Sequence, residues 1–224
     1  MQLEKVTKSR QSGDKRRYDD ACGLAHALEL IGERWAMLVL RELAYGPRRF
    51  GDLKADLSGI SANVLTQRLA ELENRGLVRK TRLPPPASVQ VYEATEWGLQ
   101  ATPVIAALGR WAARSPLHNP HLPMSHVSLM MSLQTLFSPE RADGLSARVG
   151  FRLGDVAYVA TVRLDRLDVE RRTVEDWDLT FAGTPTAVAA VIHGGAPLET
   201  IEVEGDIPLA RRFITLFPLP PKVS

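Results

Sequence analysis

The sequence has few of the features that mark secreted or membrane proteins. Its 224 residues include one cysteine, Cys22, which excludes a disulfide framework within the chain and suits a reducing compartment. A single cysteine still allows a disulfide between two subunits. No apolar run approaches the roughly 20 residues that span a bilayer, and the polar N-terminus lacks the apolar core of a secretory signal. We therefore expect a cytoplasmic protein.

Motifs of catalysis are also missing. The sequence contains no phosphate-binding glycine loop, no nucleophile elbow and no paired metal-ligand motif. His118, His121 and His126 lie close together, but prolines intervene and no carboxylate or thiol joins them. Because a metal site needs a tighter ligand set, we interpret this segment as a flexible linker. We expect no enzyme, no metal and no cofactor.

Charge is distributed unevenly along the chain, whose length fits two domains of about 100 residues each. Residues 1–118 carry 18 Lys and Arg against 13 Asp and Glu, whereas the remainder carries 10 against 13. A basic half joined to a mildly acidic half indicates that the first half meets a polyanion.

The first half has the apolar spacing of helices followed by a hairpin. Two helices are predicted between Cys22 and Gly46, a short third one over RRFGDLKADL, and a fourth that begins after an N-cap at Ser61. LVRKTRL and SVQVYEAT then predict two strands, with the three prolines between them at the tip. Pro103 kinks the next helix or divides it in two.

The predicted fourth helix, SANVLTQRLAELENR, combines an apolar face with a polar one. Its buried face holds Leu65, Leu69 and Leu72, and its outward face holds Asn63, Thr66, Gln67, Ala70 and Asn74, flanked by Arg68 and Arg75. The first acid, Glu71, comes only in the third turn, so the start of the helix can approach a phosphate. Asn, Gln, Thr and Arg also hydrogen-bond base edges in the major groove.

The hairpin after this helix adds basic residues, Arg79, Lys80 and Arg82, that fit a wing lying against the DNA backbone. A short helix, a tight turn and a second helix, followed by a wing, favour a DNA-binding helix-turn-helix. The alternative is an amphipathic helix in a plain interaction module, because such three-helix units serve both purposes.

Several short motifs occur in order between residues 18 and 114: GERW, GPRRFGDL, GIS-x-x-VLTQRL-x-ELE-x-x-GLV and YEATEWG. Together they resemble the HxlR family of bacterial winged helix-turn-helix regulators. The resemblance implies a homodimer, joined through its terminal helices, that binds a roughly palindromic operator. It places the recognition helix at Ser61, Asn63, Thr66, Gln67 and Arg68, and the wing at Lys80 and Arg82.

Two further predictions concern this half. The implied dimer agrees with an excess of apolar surface on a late helix, at Val104, Ile105, Leu108 and Trp111. Cys22 occupies the position of a cysteine that some HxlR members use to sense oxidants or electrophiles. A place at a helix N-terminus beside basic residues 15–17 would lower the pKa of its thiol, although Asp19 and Asp20 oppose this effect. The alternative is a small buried hydrophobe.

Beyond the linker, strand-like runs between helices predict an α+β domain with a largely antiparallel sheet. A helix is expected at 127–137 and strands at 147–153, 156–164, 167–172 and 178–182, then the helix TPTAVAAVIHGG, the strand TIEVEG and the helix IPLARRFITLF. Hairpin-length connections at Gly154-Asp155 and Asp165-Arg166 support antiparallel pairing.

The stretch FAGTPTAVAAVIHGGAPLETIEVEGDIPLARRFITLF resembles the sterol carrier protein fold. This resemblance implies a hydrophobic cavity between sheet and helices, with candidate lining residues Phe151, Tyr158, Val188, Val191, Ile192, Phe213, Leu216 and Phe217. The alternative is that these residues simply fill a core. An apolar effector in a cavity would control DNA binding only if it favours one arrangement of the DNA-binding units. Otherwise the domain extends the dimer interface.

The sequence therefore predicts four segments: a mobile arm at 1–17, a mainly α winged helix-turn-helix domain for DNA binding and dimerisation at 18–114, a linker at 115–126, and an α+β sterol-carrier-like domain at 127–224. The function predicted for this arrangement is that of a homodimeric transcriptional regulator, controlled by a hydrophobic ligand or by Cys22. The alternative is a carrier of hydrophobic molecules whose winged unit serves only for dimerisation.

Overall fold

The computed structural model describes residues 18–173, 175 and 177–223, so the arm predicted at 1–17 lies outside the described residues. The first half forms α1 (Gly23–Ile31), α2 (Ala36–Glu42), α3 (Phe50–Asp56), α4 (Ala62–Asn74), β1 (Val78–Arg82), β2 (Gln90–Ala94), α5 (Glu96–Gln100) and α6 (Thr102–Ala112). This order, with α3 and α4 joined by a tight turn and followed by a hairpin, is the predicted winged helix-turn-helix.

Local sequence explains the boundaries of these elements. Gly59 adopts a φ of +88° in the turn before α4, a conformation that suits glycine. The Ser61 hydroxyl then caps α4 by accepting from the Val64 amide at 3.2 Å. Pro103 lies at the start of α6, where its missing N–H costs no hydrogen bond. The predicted long helix is therefore divided in two at Ala101.

The core of the winged unit forms where α2, α3 and α4 meet. Its fully buried members include Val39, Leu53, Leu65, Leu69 and Leu72. The leucines of α4 thus all lie on the predicted inner face. The burial of these leucines fixes which face of α4 is left for solvent.

The second half forms α7 (His126–Leu136), α8 (Pro139–Ala142), β3 (Ala147–Leu153), β4 (Val156–Val162), β5 (Leu167–Arg171), β6 (Leu179–Ala182), α9 (Pro185–Ile192), β7 (Glu202–Gly205) and α10 (Ile207–Phe213), which continues as a 3-10 turn over Ile214–Leu216. The sheet order is β5-β4-β3-β6-β7. Only β3 and β6 pair in parallel, while the other neighbours are antiparallel. The α+β class and the largely antiparallel sheet are as predicted.

The helices of the second half cover the sheet with an aromatic core. The rings of Phe151 and Phe181 lie 5.5 Å apart, and Phe213 contacts Phe217 edge-on at 4.9 Å. All eight residues predicted to line a cavity belong to this one buried cluster. They are brought together as predicted, and their present arrangement is that of a packed core. A ligand cavity among them stays a prediction.

The linker prediction is wrong for His126. Ser125 caps α7 by accepting from the Ser128 amide at 3.0 Å, and His126 is the first residue of that helix. Only 6% of His126 is exposed, whereas His118 and His121 are exposed. Its burial depends on partners from the first half, which a proline-rich sequence does not reveal. Among the described residues, no helix has both the length and the apolar character needed to cross a bilayer.

Candidate nucleic-acid interface

The outward face of α4 presents the polar side chains predicted for it. Ser61, Asn63, Thr66 and Gln67 are all exposed. The Thr66 hydroxyl donates to the Ala62 carbonyl at 2.9 Å, and the Gln67 amide donates to Glu71 at 3.0 Å. These contacts stay within α4 and orient two of the polar side chains. The face therefore offers amide and hydroxyl groups at a spacing that one groove can accept.

The electrostatics of the start of α4 favour an anion. Its first turn contains no acidic residue. The unpaired amides and the helix dipole there give a partial positive charge, which attracts phosphate. The first turn is also exposed, since Ala62 and Asn63 lie in solvent. This end of α4 can approach a nucleic-acid backbone without an acidic side chain in its own first turn.

Arg68 differs from its predicted place. Only 7% of its side chain is exposed, and its guanidinium pairs with Glu71 and lies 3.5 Å from a carboxylate oxygen of Glu33. Arg68 thus joins α4 to the turn before α2. A guanidinium held by two carboxylates inside the winged unit is not available to bases, so the predicted DNA contact of Arg68 does not agree with the structure.

The wing divides its basic residues between two faces. Lys80 pairs with Tyr92 and Arg82 with Gln90, so Lys80 and Arg82 share one face of the hairpin. Arg79 lies on the other face, where its guanidinium donates to Glu93 at 2.8 Å. Lys80, Thr81, Arg82, Ser88 and Gln90 line an open groove of about 550 Å³. Lys80 and Arg82 therefore present two cations on one face of the hairpin, where the Arg82 guanidinium also donates to the Ser88 carbonyl at 3.1 Å.

The predicted dimer helix, α6, exposes an apolar stripe. Val104 is 59% exposed, Leu108 43% and Trp111 70%. Ile105 instead packs against the core of the winged unit, because it lies to one side of this stripe. Leu24 of α1 is 68% exposed and extends the apolar surface available near the N-terminal end of the described chain.

Cys22 is exposed and lies at the N-cap of α1. The backbone amides of Leu24 and Ala25 lower the pKa of the thiol, although the sulfur accepts no capping hydrogen bond within ordinary distance. The alternative interpretation, a buried hydrophobe, is wrong for this cysteine. The basic residues expected beside it, 15–17, lie outside the described residues.

A buried polar cluster, which no pattern in the sequence indicates, joins the two halves. Arg48 is only 4% exposed and pairs with Asp56 of α3. Its Nη1 lies 2.9 Å from Nε2 of His126, whose Nδ1 lies 2.6 Å from the Tyr158 hydroxyl. Burial opposes ionisation of Asp56, but its bonds to His126 and Arg48 outweigh this effect and lower the pKa of the carboxyl.

A second buried contact lies beside this cluster. The Ser125 hydroxyl donates to Glu42 of α2 at 2.8 Å, and Arg41 donates to the same carboxylate at 2.7 Å. Tyr45 donates to Gln134 and meets the Tyr158 ring edge-on at 5.7 Å. Buried polar groups are costly unless they are paired, so these contacts define one arrangement of the halves.

Comparisons with known proteins support the first half of this description. The model of the HxlR-like helix-turn-helix family matches residues 30–118. YvaP of Bacillus subtilis, described as an uncharacterized HTH-type transcriptional regulator, is 31% identical over 86 residues, which make up 38% of this chain and 80% of YvaP. YkvN of the same organism, described likewise, is 39% identical over 92 residues, or 41% of this chain and 77% of YkvN.

The chain is also similar to a solved structure. The reduced form of the transcriptional regulator YodB from B. subtilis matches 43% of this chain and 95% of its own, with 31% identity and a TM-score of 0.39. Residues 119–224 lie beyond the family match.

Proposed function

Because the chain belongs to the HxlR-like helix-turn-helix family of transcriptional regulators, we propose that it binds a roughly palindromic operator as a homodimer. Regulators of this class are not enzymes, as the sequence predicts. The observation that carries the proposal is the exposed polar face of α4, which begins without an acid and lies beside a basic wing.

In the proposed complex, the two parts of the site have different tasks. Asn63, Thr66 and Gln67 of α4 contact base edges, and the Ser61 end of the helix approaches a phosphate. Lys80 and Arg82 contact the backbone from the wing and add affinity that does not depend on sequence. Arg79 and Arg68 are already paired within the protein and take no direct part.

The binding experiment uses fluorescence anisotropy with DNA from upstream of the protein's own gene and with a scrambled duplex. Gln67→Ala is expected to lose about 1–3 kcal/mol of discrimination between the two duplexes. Lys80→Ala is expected to weaken both complexes alike and to reduce the salt slope by about 1. Arg79→Ala is the matched control and should leave affinity nearly unchanged. Equal affinity of the wild-type protein for both duplexes would contradict sequence-specific binding.

The homodimer proposal is supported by the apolar stripe of α6. Val104, Leu108 and Trp111 lie on one exposed face, and exposed apolar patches of this kind mark protein interfaces. Two copies joined through this face would present two α4 helices to a palindrome. Half-sites about one helical turn apart, roughly 10 base pairs, would then be contacted together.

Two forms of control are proposed. A hydrophobic ligand in the second half would act if it binds one arrangement of the halves more tightly than another. Its support is the sterol-carrier resemblance, and the candidate lining residues belong to one buried cluster. Control through Cys22 is supported by the exposure and lowered thiol pKa of that residue. Operator release after addition of an apolar ligand or an electrophile would distinguish the two.

The second candidate function is a carrier of hydrophobic molecules in which the winged unit serves only for dimerisation. The resemblance of the second half to the sterol carrier fold favours it. Thermal-shift measurements with hydrophobic ligands test it directly. Stabilisation of the protein without any effect on operator binding would support the carrier, and stabilisation with operator release would support the regulator. Both functions fit the cytoplasm.

A further inference from the structure

Arg48 is the residue at which the wing, α3 and the second half meet. Its backbone pairs in both directions with Tyr92 of β2, with N–O distances of 2.9 and 2.8 Å. Its guanidinium pairs with Asp56 of α3 and lies 2.9 Å from the His126 ring. Because Arg48 is buried, water cannot replace a partner that moves away. A shift of one partner is therefore transmitted to the others.

His126 completes this contact from the second half. Its Nε2 lies 2.9 Å from Nη1 of Arg48 and 3.3 Å from Oδ2 of Asp56. Arginine can only donate, so a bare Nε2 accepts from Arg48, whereas a protonated Nε2 donates to Asp56. In either form the ring contacts the Arg48–Asp56 pair. Its Nδ1 contacts Tyr158, whose phenol is fully buried on β4.

Neighbouring contacts hold the same segment from the side of the second half. A guanidinium nitrogen of Arg171, at the end of β5, lies 3.5 Å from the Pro47 carbonyl. Arg48 thus lies between β2 of the wing and the second half, and the exposed Pro47 beside it also contacts Arg171. Lys80 is opposite Tyr92 in the hairpin, so the residue that Arg48 holds is the cross-strand partner of a proposed phosphate contact.

We propose that the second half positions the wing through the contact between His126 and Arg48. This inference rests on the proposed DNA binding and adds a means by which the second half sets its strength. Arg48 and His126 are positioning residues, since neither reaches the DNA. The Ser61 cap and the buried leucines hold the outward face of α4 through contacts that Arg48 does not make, so we expect a larger effect on the wing than on α4.

A double-mutant cycle tests this proposal, with affinity for the operator measured by anisotropy. His126→Ala is expected to weaken binding between about 2-fold and 30-fold. In a background that lacks both proposed wing contacts, Lys80→Ala with Arg82→Ala, the further loss should nearly vanish. In a Gln67→Ala background it should keep its full size. Equal losses in the two backgrounds, or no loss from His126→Ala, would overturn the proposal.

Tyr45→Phe is the matched control. It removes the hydrogen bond to Gln134 across the same interface but leaves the Arg48 contacts in place. It is expected to leave operator affinity unchanged. A loss as large as that of His126→Ala would mean that any loosening of the interface has the same effect, and it would refute a specific path through Arg48.

Hydrogen exchange supplies a readout that does not depend on DNA. His126→Gln keeps a polar side chain and guards against misfolding of the alanine variant. The Arg48 and Tyr92 amides, which are hydrogen-bonded to each other's carbonyls, should exchange faster in this variant than in the wild type. Unchanged protection at both amides would overturn the proposal. If the wild-type protein bound no DNA, the proposed function would fail while the exchange result still decided the coupling.

Discussion

Arg68 tests whether a residue of α4 stabilises the fold or contacts DNA bases, because its burial favours the first of these roles. The change is Arg68→Ala. The guanidinium is nearly buried and faces Glu71, which is 22% exposed, and Glu33, which is 32% exposed. Removing the cation leaves two partly buried carboxylates close together without the positive charge between them. We therefore expect the main effect to be a loss of folding stability.

The magnitude follows from the burial of the three groups. Removing one partner of a fully buried ion pair costs about 3–5 kcal/mol, whereas exposed pairs contribute about 0–1 kcal/mol. The carboxylates here are partly exposed, and solvent screens them, so about 2 kcal/mol is the expected loss for Arg68→Ala. Urea unfolding of the variant, followed by far-UV circular dichroism, measures this loss as a lower transition midpoint.

Gln67→Ala is the matched control, because Gln67 is the preceding residue of α4 and lies on the exposed face. Gln67→Ala should keep the wild-type unfolding midpoint and lose discrimination between the two duplexes. Arg68→Ala should have a lower midpoint and, under conditions where it is folded, should keep that discrimination. A Glu71→Gln change should reduce the cost of removing Arg68, since one of the stranded charges is then absent. Arg68→Ala with unchanged stability and lost discrimination would refute the structural role.

Three further predictions concern separate parts of the chain. Trp111→Glu places a charge on the apolar stripe of α6, so light scattering should show a monomer; an unchanged dimer would exclude this face. Because backbone amides lower the pKa of Cys22, iodoacetamide should label it faster than free cysteine near neutral pH, and an equal or slower rate would count against sensing. Burial lowers the pKa of His193 to about 4, below its ordinary 6.5, against a smaller opposing effect from the Phe217 backbone. As the pH is lowered, the unfolded chain therefore binds that proton before the folded chain does. The free energy of unfolding should fall by roughly 3 kcal/mol as the pH is lowered from about 6.5 to 4. His193→Gln should remove this part of the pH dependence measured by urea unfolding, and an unchanged pH profile would contradict the assignment.

Much of the reading helix could be predicted, because periodicity alone separates its two faces. Leu65 and Leu69 are buried and Asn63 and Gln67 are exposed, as a 3.6-residue repeat requires. Arg68 was misplaced for a tertiary reason. It lies at the border between the faces, and its burial depends on Glu33 from another part of the chain.

The two faces of the wing could be assigned from the sequence alone. Side chains alternate along a strand, so Arg79 had to lie opposite Lys80 and Arg82 once the strand was assigned. The pairing of Arg79 with Glu93 then follows from the hairpin register, which the three prolines at the tip make hard to count. The alternation of side chains along β1 predicts the face on which Arg79 lies, whereas the register between β1 and β2 could be found only from the structure.

His126 illustrates what sequence patterns do not contain. Its neighbours are prolines and polar residues, which indicate a loop, and two other histidines nearby are exposed. Its partners Arg48 and Asp56 lie at least 70 residues earlier in the chain. Only the packing of α7 against the first half brings these groups together, so the junction could be found only from coordinates.

Footprinting on the DNA upstream of the protein's own gene tests the central claim most directly. We expect two protected patches about one helical turn apart, roughly 10 base pairs. Protection should be lost in Gln67→Ala and should remain, at higher protein concentration, in Lys80→Ala. No protection by the wild-type protein, or a footprint that Gln67→Ala leaves unchanged, would contradict the assignment of α4 as the reading helix.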